Sequence, residues 1–192
     1  ALGDVSGHSL EAGILMGMAK KALQIYAQGK TSAAETLVVT NVDLARDLDG
    51  ATFVSANYGL LDTEKRTFRF ARAGHTPACL VNPGRKPALT QLKPAGMVIG
   101  PDKDGKRFAA NMKEECVELR SGDLVFQYTD GVVEAADRYK VEFGEQHLHE
   151  LLLKSTHLSV QEVLSLIEDV VQSHIGAAVQ EDDITMIAFK VS

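Results

Sequence analysis

The chain has 192 residues, 45% hydrophobic and 24% charged, which is globular material for one domain, or one with a small appendage. Its formal charge of −6, with Lys20–Lys21 as the densest basic spot, excludes a nucleic-acid surface, because neutralising a phosphate backbone needs clustered cations. No apolar run approaches the ~20 residues of a membrane span and no secretory leader is visible; Cys79 and Cys116 lack metal or redox spacing and read as two reduced, buried thiols of a cytoplasmic protein.

The opening A-L-G-D-V-S-G-H-S places Asp4 at the exit of a short strand, before Gly7. Leu10, Ile14, Met18, Ala22 and Tyr26 then recur every four residues, with Leu15 and Leu23 beside them, predicting an amphipathic helix that ends near Gly29. Thr31 or Ser32 can cap a second helix whose inner face holds Leu37, Val38, Asn41, Leu44 and Ala45. Both stripes are read as core packing rather than as cofactor sites.

From residue 51 the period becomes two. A-T-F-V-S-A-N-Y-G-L-L-D and K-R-T-F-R-F-A-R-A-G, separated by T-E, predict a long hairpin. P-A-C-L-V-N and P-A-L-T-Q-L-K, with a turn at Pro83-Gly84, continue a meander. Residues 94–105, rich in Gly, Pro and Asp, read as a loop, and two further strands follow in E-E-C-V-E-L and D-L-V-F-Q-Y-T. Helices are expected from Glu145 to Lys154 and from Val160 to about His174, the second with a capping box of Ser159 and Glu162. The closing I-T-M-I-A-F-K-V is a strand. No repeat or linker divides the chain, so the pattern predicts one α+β domain over residues 1–192, with helices before and after mainly antiparallel strands.

The acidic residues fall at strand ends: Asp4, Asp130 in Y-T-D-G-V, and Asp182–Asp183 just before the last strand. Such ends converge at a sheet rim, and convergent carboxylates stay ionised only against a compensating cation. All-oxygen ligation selects Mg²⁺ or Mn²⁺, and two such ions can orient a bridging hydroxide for attack on phosphorus. Each aspartate taken alone reads equally as a turn former. A serine relay through Ser6 or Ser9 with His8 or His75 has the wrong spacing for a nucleophile elbow. His147 and His149, two apart on a helix, point away from each other. Arg72 could meet a phosphate, but a solvated strand arginine is the default.

The ordered motifs G-D-V-S-G-H, A-R-A-G-H-T-P-A, L-V-F-Q-Y-T-D-G-V-V-E-A and E-D-D-I-T-M-I-A-F closely resemble the bacterial PP2C-type serine/threonine phosphatases. The nearest branch holds the sporulation phosphatase and the stress-response sigma-regulating phosphatases. The resemblance implies an α/β/β/α sandwich of two mainly antiparallel sheets flanked by helices, and hydrolysis of phosphoserine or phosphothreonine through a water or hydroxide activated by two Mn²⁺ or Mg²⁺ ions. It assigns metal ligation to Asp4, the Val5 backbone carbonyl, Asp130 and Asp182, with Asp183 as the neighbour that could exchange roles, and loop geometry to Gly7 and Gly131. Its substrates are phosphorylated regulatory proteins of the anti-anti-sigma type, and its helices after the first loop take signals from an upstream sensor or partner. Family members carry a further acidic motif upstream of residue 1, so the sheets are expected to lack their first strands and the exposed edge to favour a homodimer. The family reads G-H-G where this chain has Ser9, which alters that loop or caps the next helix; the relatives' general-acid histidine is replaced by Ser6. The alternative is a non-catalytic PP2C-like module that binds a phosphoprotein or a regulatory partner.

Overall fold

The computed structural model describes residues 1–7, 9–48 and 52–192. Its contacts divide the chain into two interleaved compact units, residues 1–75 with 93–119 and residues 76–92 with 120–192.

In the first unit, β1 (Leu2–Val5), β2 (Val54–Asp62), β3 (Thr67–Ala73) and β6 (Glu114–Glu118) form an antiparallel sheet in the order β1-β2-β3-β6. Helices α1 (Leu10–Tyr26) and α2 (Ala33–Leu44) cover one face. Val5, Val54, Ala56, Ala71 and Ala73 of the sheet share a core with Ala19, Ala22, Leu37 and Leu44 of the helices. The many alanines let helix and sheet approach closely, and a fully buried leucine such as Leu37 contributes about 1.5–3 kcal/mol.

Caps start both helices as their sequences require. The Ser9 side chain accepts from Ala12 N–H, so the serine that departs from the family pattern is the cap of α1. Ser32 caps α2, and the Glu114 carboxylate reaches across from β6 to accept from the N–H groups of Ala33 and Ala34. Residues 94–105 are irregular but anchored. Buried Asn41 donates to the Asp102 carbonyl and accepts from Gly100 N–H, and Lys103 donates to the Ala45 carbonyl at 2.7 Å, at the end of α2.

Three expectations are corrected here. Leu10 and Ile14 are 81% and 58% exposed rather than buried. A repeat of four advances about 40° past a full turn at each step, so such a stripe winds around the helix; the buried line instead runs through Ala12, Ala19 and Ala22. A short helix, α3 (Lys106–Asn111), follows the loop where no period announced one. Its start is capped from a distance, the Asp102 carboxylate accepting from Phe108 N–H at 2.9 Å. Cys116 is exposed, because it sits on the outward phase of β6; Cys79 is buried and burial pushes its thiol up to about 12, which leaves it inert at neutral pH.

In the second unit, β4 (Ala78–Val81), β5 (Leu89–Leu92), β7 (Leu124–Tyr128) and β8 (Met186–Lys190) form a second antiparallel sheet, in the order β5-β4-β7-β8. Helices α4 (Glu145–Lys154) and α5 (Val160–Ile175) share its core, and α5 starts with the expected capping box. All five residues of β7 are buried. The start of β7 is tied down by Asp123, whose carboxylate pairs with Arg85 and accepts from Asn82 and from Arg120 N–H. Two antiparallel sheets, each with its own helices, are the arrangement that the family resemblance implied.

Candidate metal centre

At the exit of β7 the backbone leaves the strand at Thr129 and enters a single 3-10 turn, Asp130–Val132. Thr129 works as a staple. Its hydroxyl donates to the Asp183 carbonyl at 2.8 Å and accepts from Thr185 N–H at 2.9 Å, while its own N–H donates to the Thr185 carbonyl at 3.0 Å. The segment before β8 is thereby held against the end of β7. Gly131 completes the approach: a Cβ there would stand 2.5 Å from the Asp183 carbonyl oxygen, so no side chain fits.

This junction gathers carboxylates. A cavity of about 230 Å³ is lined by Gly131, Glu134, Lys140, Glu142, Glu181 and Asp182, among others. Burial, followed by the negative charges of Asp130, Glu142 and Asp182, pushes the Glu134 carboxyl above the usual range. Lys140, in the left-handed region with φ 62°, ion-pairs with Glu181 at the cavity wall. Asp182 rather than Asp183 faces this space; Asp182 also accepts from Asp183 N–H at 2.7 Å, and Asp183 lends its carbonyl to Thr129. Oδ1 of Asp130 is buried and has no hydrogen-bond partner among the described residues. An anionic oxygen withdrawn from water without a partner fits a hard cation better than any hydrogen-bonding role. Among the described residues no three His, Cys, Asp or Glu side chains form a group that could hold a metal by themselves. Magnesium-type sites commonly use one or two carboxylates and keep several waters, and Asp130 and Asp182 both bear on Glu134.

Asp4, Val5 and Gly7 belong to the first unit. Asp4 lies on β1 directly opposite Ser55 of β2, and Val5 opposite Val54. Just beyond, Ser6 N–H donates to the Phe53 carbonyl and Ser6 Oγ accepts from Phe53 N–H, both at 3.0 Å. Gly7 has φ +91°, which only glycine adopts without strain. His8 lies outside the described residues.

The sequence matches the stage II sporulation protein E (SpoIIE) family over residues 1–192. The chain belongs to that family. It is 25% identical to protein IcfG of Synechocystis over 97% of this chain and 32% of that protein, and 27% identical to the phosphoserine phosphatase RsbU of Bacillus subtilis over 88% of this chain and 48% of that one. The chain thus spans half or less of the length of these curated relatives. Its structure superposes on the SiaA PP2C domain of Pseudomonas aeruginosa with a TM-score of 0.84 at 22% identity, covering 99% of this chain and 74% of that one. On RsbX in complex with magnesium the TM-score is 0.68 at 17% identity, covering 99% and 79%. The PP2C fold expected from the motifs is therefore the fold of this SpoIIE-family chain.

Within this SpoIIE-family chain Ser6 Oγ accepts from Phe53 N–H and Ser9 Oγ from Ala12 N–H, so the two serines serve the first loop and the start of α1. His147 stacks on Phe143 while His149 meets Gln91, so the two do point apart. Arg72, half-buried, donates to the carbonyls of His75 and Pro94. Two site residues escaped the sequence reading. Glu134 is four residues past Asp130 and donates its N–H to the Asp130 carbonyl, a spacing that helical phase could have flagged. Thr129, in T-D-G, gave no signal beyond its adjacency to Asp130.

Proposed function

We propose that this chain is a divalent-cation-dependent phosphatase acting on phosphoserine or phosphothreonine. The observation that carries the reading is the buried Oδ1 of Asp130 at the end of β7, unpartnered among the described residues, beside Asp182 and the raised Glu134. Asp130 and Asp182 would hold the cation, Mn²⁺ or Mg²⁺. Asp4 and the backbone carbonyl of Val5 are proposed as the further donors on the strength of the motif match, with Asp183 as the adjacent alternative to Asp182. When bound, such ions supply an activated water and positive charge against the phosphate. The chain's own residues prepare the place: Thr129 holds the two ligand-bearing segments together, and Gly131 lets their backbones meet.

The proposed substrate is a phosphorylated regulatory protein of the anti-anti-sigma type, and the proposed setting is the cytoplasm. Among the described residues no helix is long and apolar enough to cross a membrane. Control by an upstream sensor, and a homodimeric state, belong to the same reading. RsbU, a phosphoserine phosphatase by name, supports the reaction class.

The test is hydrolysis of p-nitrophenyl phosphate by the 192-residue chain with and without Mn²⁺, beside Asp130→Asn. Turnover that needs Mn²⁺ and is lost in the variant supports the proposal; turnover that survives the substitution removes Asp130 from the ligand set. The second reading is a PP2C-like module that binds phosphoproteins or a regulatory partner without hydrolysing them. That reading requires binding of a phosphoprotein without turnover at saturating Mn²⁺.

A further inference from the structure

His75 is 4% exposed, and the metal-centre reading gives it no task. Several features bring it to one place. Gly74, with φ +70°, turns the chain out of β3, and a Cβ there would strike Val98 Cγ1 at 2.4 Å, so only glycine fits. Gly74 then bridges to Ala56, returning the chain to the side of β2. Arg72 fixes the corner by donating to the His75 carbonyl at 2.8 Å and to the Pro94 carbonyl at 3.2 Å. The His75 ring is thereby set with Nδ1 2.7 Å from Ser55 Oγ.

Ser55 is the residue directly opposite Asp4 in the β1–β2 pair. Residues opposite each other in an antiparallel pair project from the same face, with Cβ atoms about 4.5–5.5 Å apart. Here that face is the one turned away from α1 and α2, because Val5, Val54 and Ala56 occupy the helix-covered face. A hydroxyl so placed is within reach of the Asp4 carboxylate. The tautomer decides what it can do. With the proton on Nδ1, the imidazole donates to Ser55 Oγ and leaves the serine O–H free to donate to a carboxylate, a charge-assisted bond.

We infer that Ser55 and His75 are positioning residues for Asp4: His75 Nδ1–H orients the Ser55 hydroxyl, and the hydroxyl holds the Asp4 carboxylate in its cation-binding orientation. The inference rests on the proposed role of Asp4 as a cation ligand. It also explains why β1, four residues long and paired with β2 alone among the described residues, can carry a ligand that must not swing.

The experiment measures Mn²⁺ affinity of the 192-residue chain by calorimetry, with kcat and KM on p-nitrophenyl phosphate as the second readout. Ser55→Ala, a partly exposed position where folding is undemanding, should weaken Mn²⁺ binding about 10–100-fold, the usual effect of losing an outer partner of a ligand. His75→Ala should do the same, and His75→Asn, whose amide places a donor where Nδ1 stood, should restore affinity. On an Asp4→Asn background Ser55→Ala should add nothing, since the two act through one interaction. A Ser55→Ala protein that binds Mn²⁺ as tightly as wild type, or whose effect adds fully to that of Asp4→Asn, overturns the inference even if its metal-free stability falls. If the wild-type chain itself binds no Mn²⁺, the metal-centre reading fails first and takes this inference with it.

Discussion

The two strand ends that carry the proposed ligands are built on opposite plans. Asp130 follows β7, a strand with all five residues buried, paired on both sides and tied down at each end. Asp123 anchors its start through Arg85, Asn82 and Arg120, and Thr129 staples its exit to the segment before β8. Asp4 sits on β1, a four-residue strand that pairs with β2 alone among the described residues and is held by the Ser6–Phe53 hydrogen bonds. A central strand fixes a ligand through packing, which leaves little freedom. A short strand with a single partner fixes one through a few polar contacts, each worth about 0.5–1.5 kcal/mol, and can be released by small forces. The Asp4 end is the adjustable one. It leads through Ser6 and Gly7 towards α1.

The largest expected effect falls on the anchored side. Asp123→Ala leaves Arg85 without its carboxylate in a buried pair and should cost about 3–5 kcal/mol in urea unfolding. The same carboxylate sets a pH dependence. Burial pushes its pKa up, but hydrogen bonds from Arg85, Arg120 N–H and Asn82 prevail and hold it below the usual range. A lowered folded pKa gives stability that is complete above the unfolded value of about 3.9 and lost as pH falls through the folded one. Wild type should therefore lose more stability than Asp123→Asn between about pH 4 and pH 2, and equal acid slopes would show that the pair contributes nothing.

Asp130→Asn should next lower Mn²⁺-dependent turnover by more than about 100-fold, beyond what loss of an outer partner causes, with little change in unfolding midpoint. A large stability loss instead would mean that Asp130 serves the fold. Thr129→Val keeps the shape of the staple but strands the Thr185 N–H, for an expected cost of about 1–3 kcal/mol and weaker Mn²⁺ binding. Smallest is Ser6→Ala on the β1 side, which should cost only about 0.5–1.5 kcal/mol in stability. Hydrogen exchange near Phe53 should nevertheless rise, and a Ser6→Ala effect as large as that of Asp123→Ala would erase the contrast between the two ends.

Much of this architecture is written locally. The capping box of α5, the Ser32 cap of α2, the period-two alternation of β2 and β3 and the turn at Pro83-Gly84 each act within a few residues, so the order of elements follows from neighbours in the chain. The strand-end aspartates were legible for the same reason, since each is marked by the strand before or after it. Legibility failed where a distant group set the outcome. Helix α3 depends on Asp102 capping Phe108, and the exposed Leu10 and Ile14 depend on which side of α1 meets the sheet.

The amino-acid sequence by itself determined that mainly antiparallel strands would form between helices, where the capped helices begin, and which aspartates stand near strand ends, because hydrophobic period and capping are short-range forces. Only the tertiary structure decided that Asp182 rather than Asp183 faces the acidic cavity, that Glu134 joins it, and that His75 turns back onto Ser55 opposite Asp4. Those choices turn on register and on single backbone approaches, such as Gly131 against Asp183 and Gly74 against Val98, where one Cβ more would move the chain.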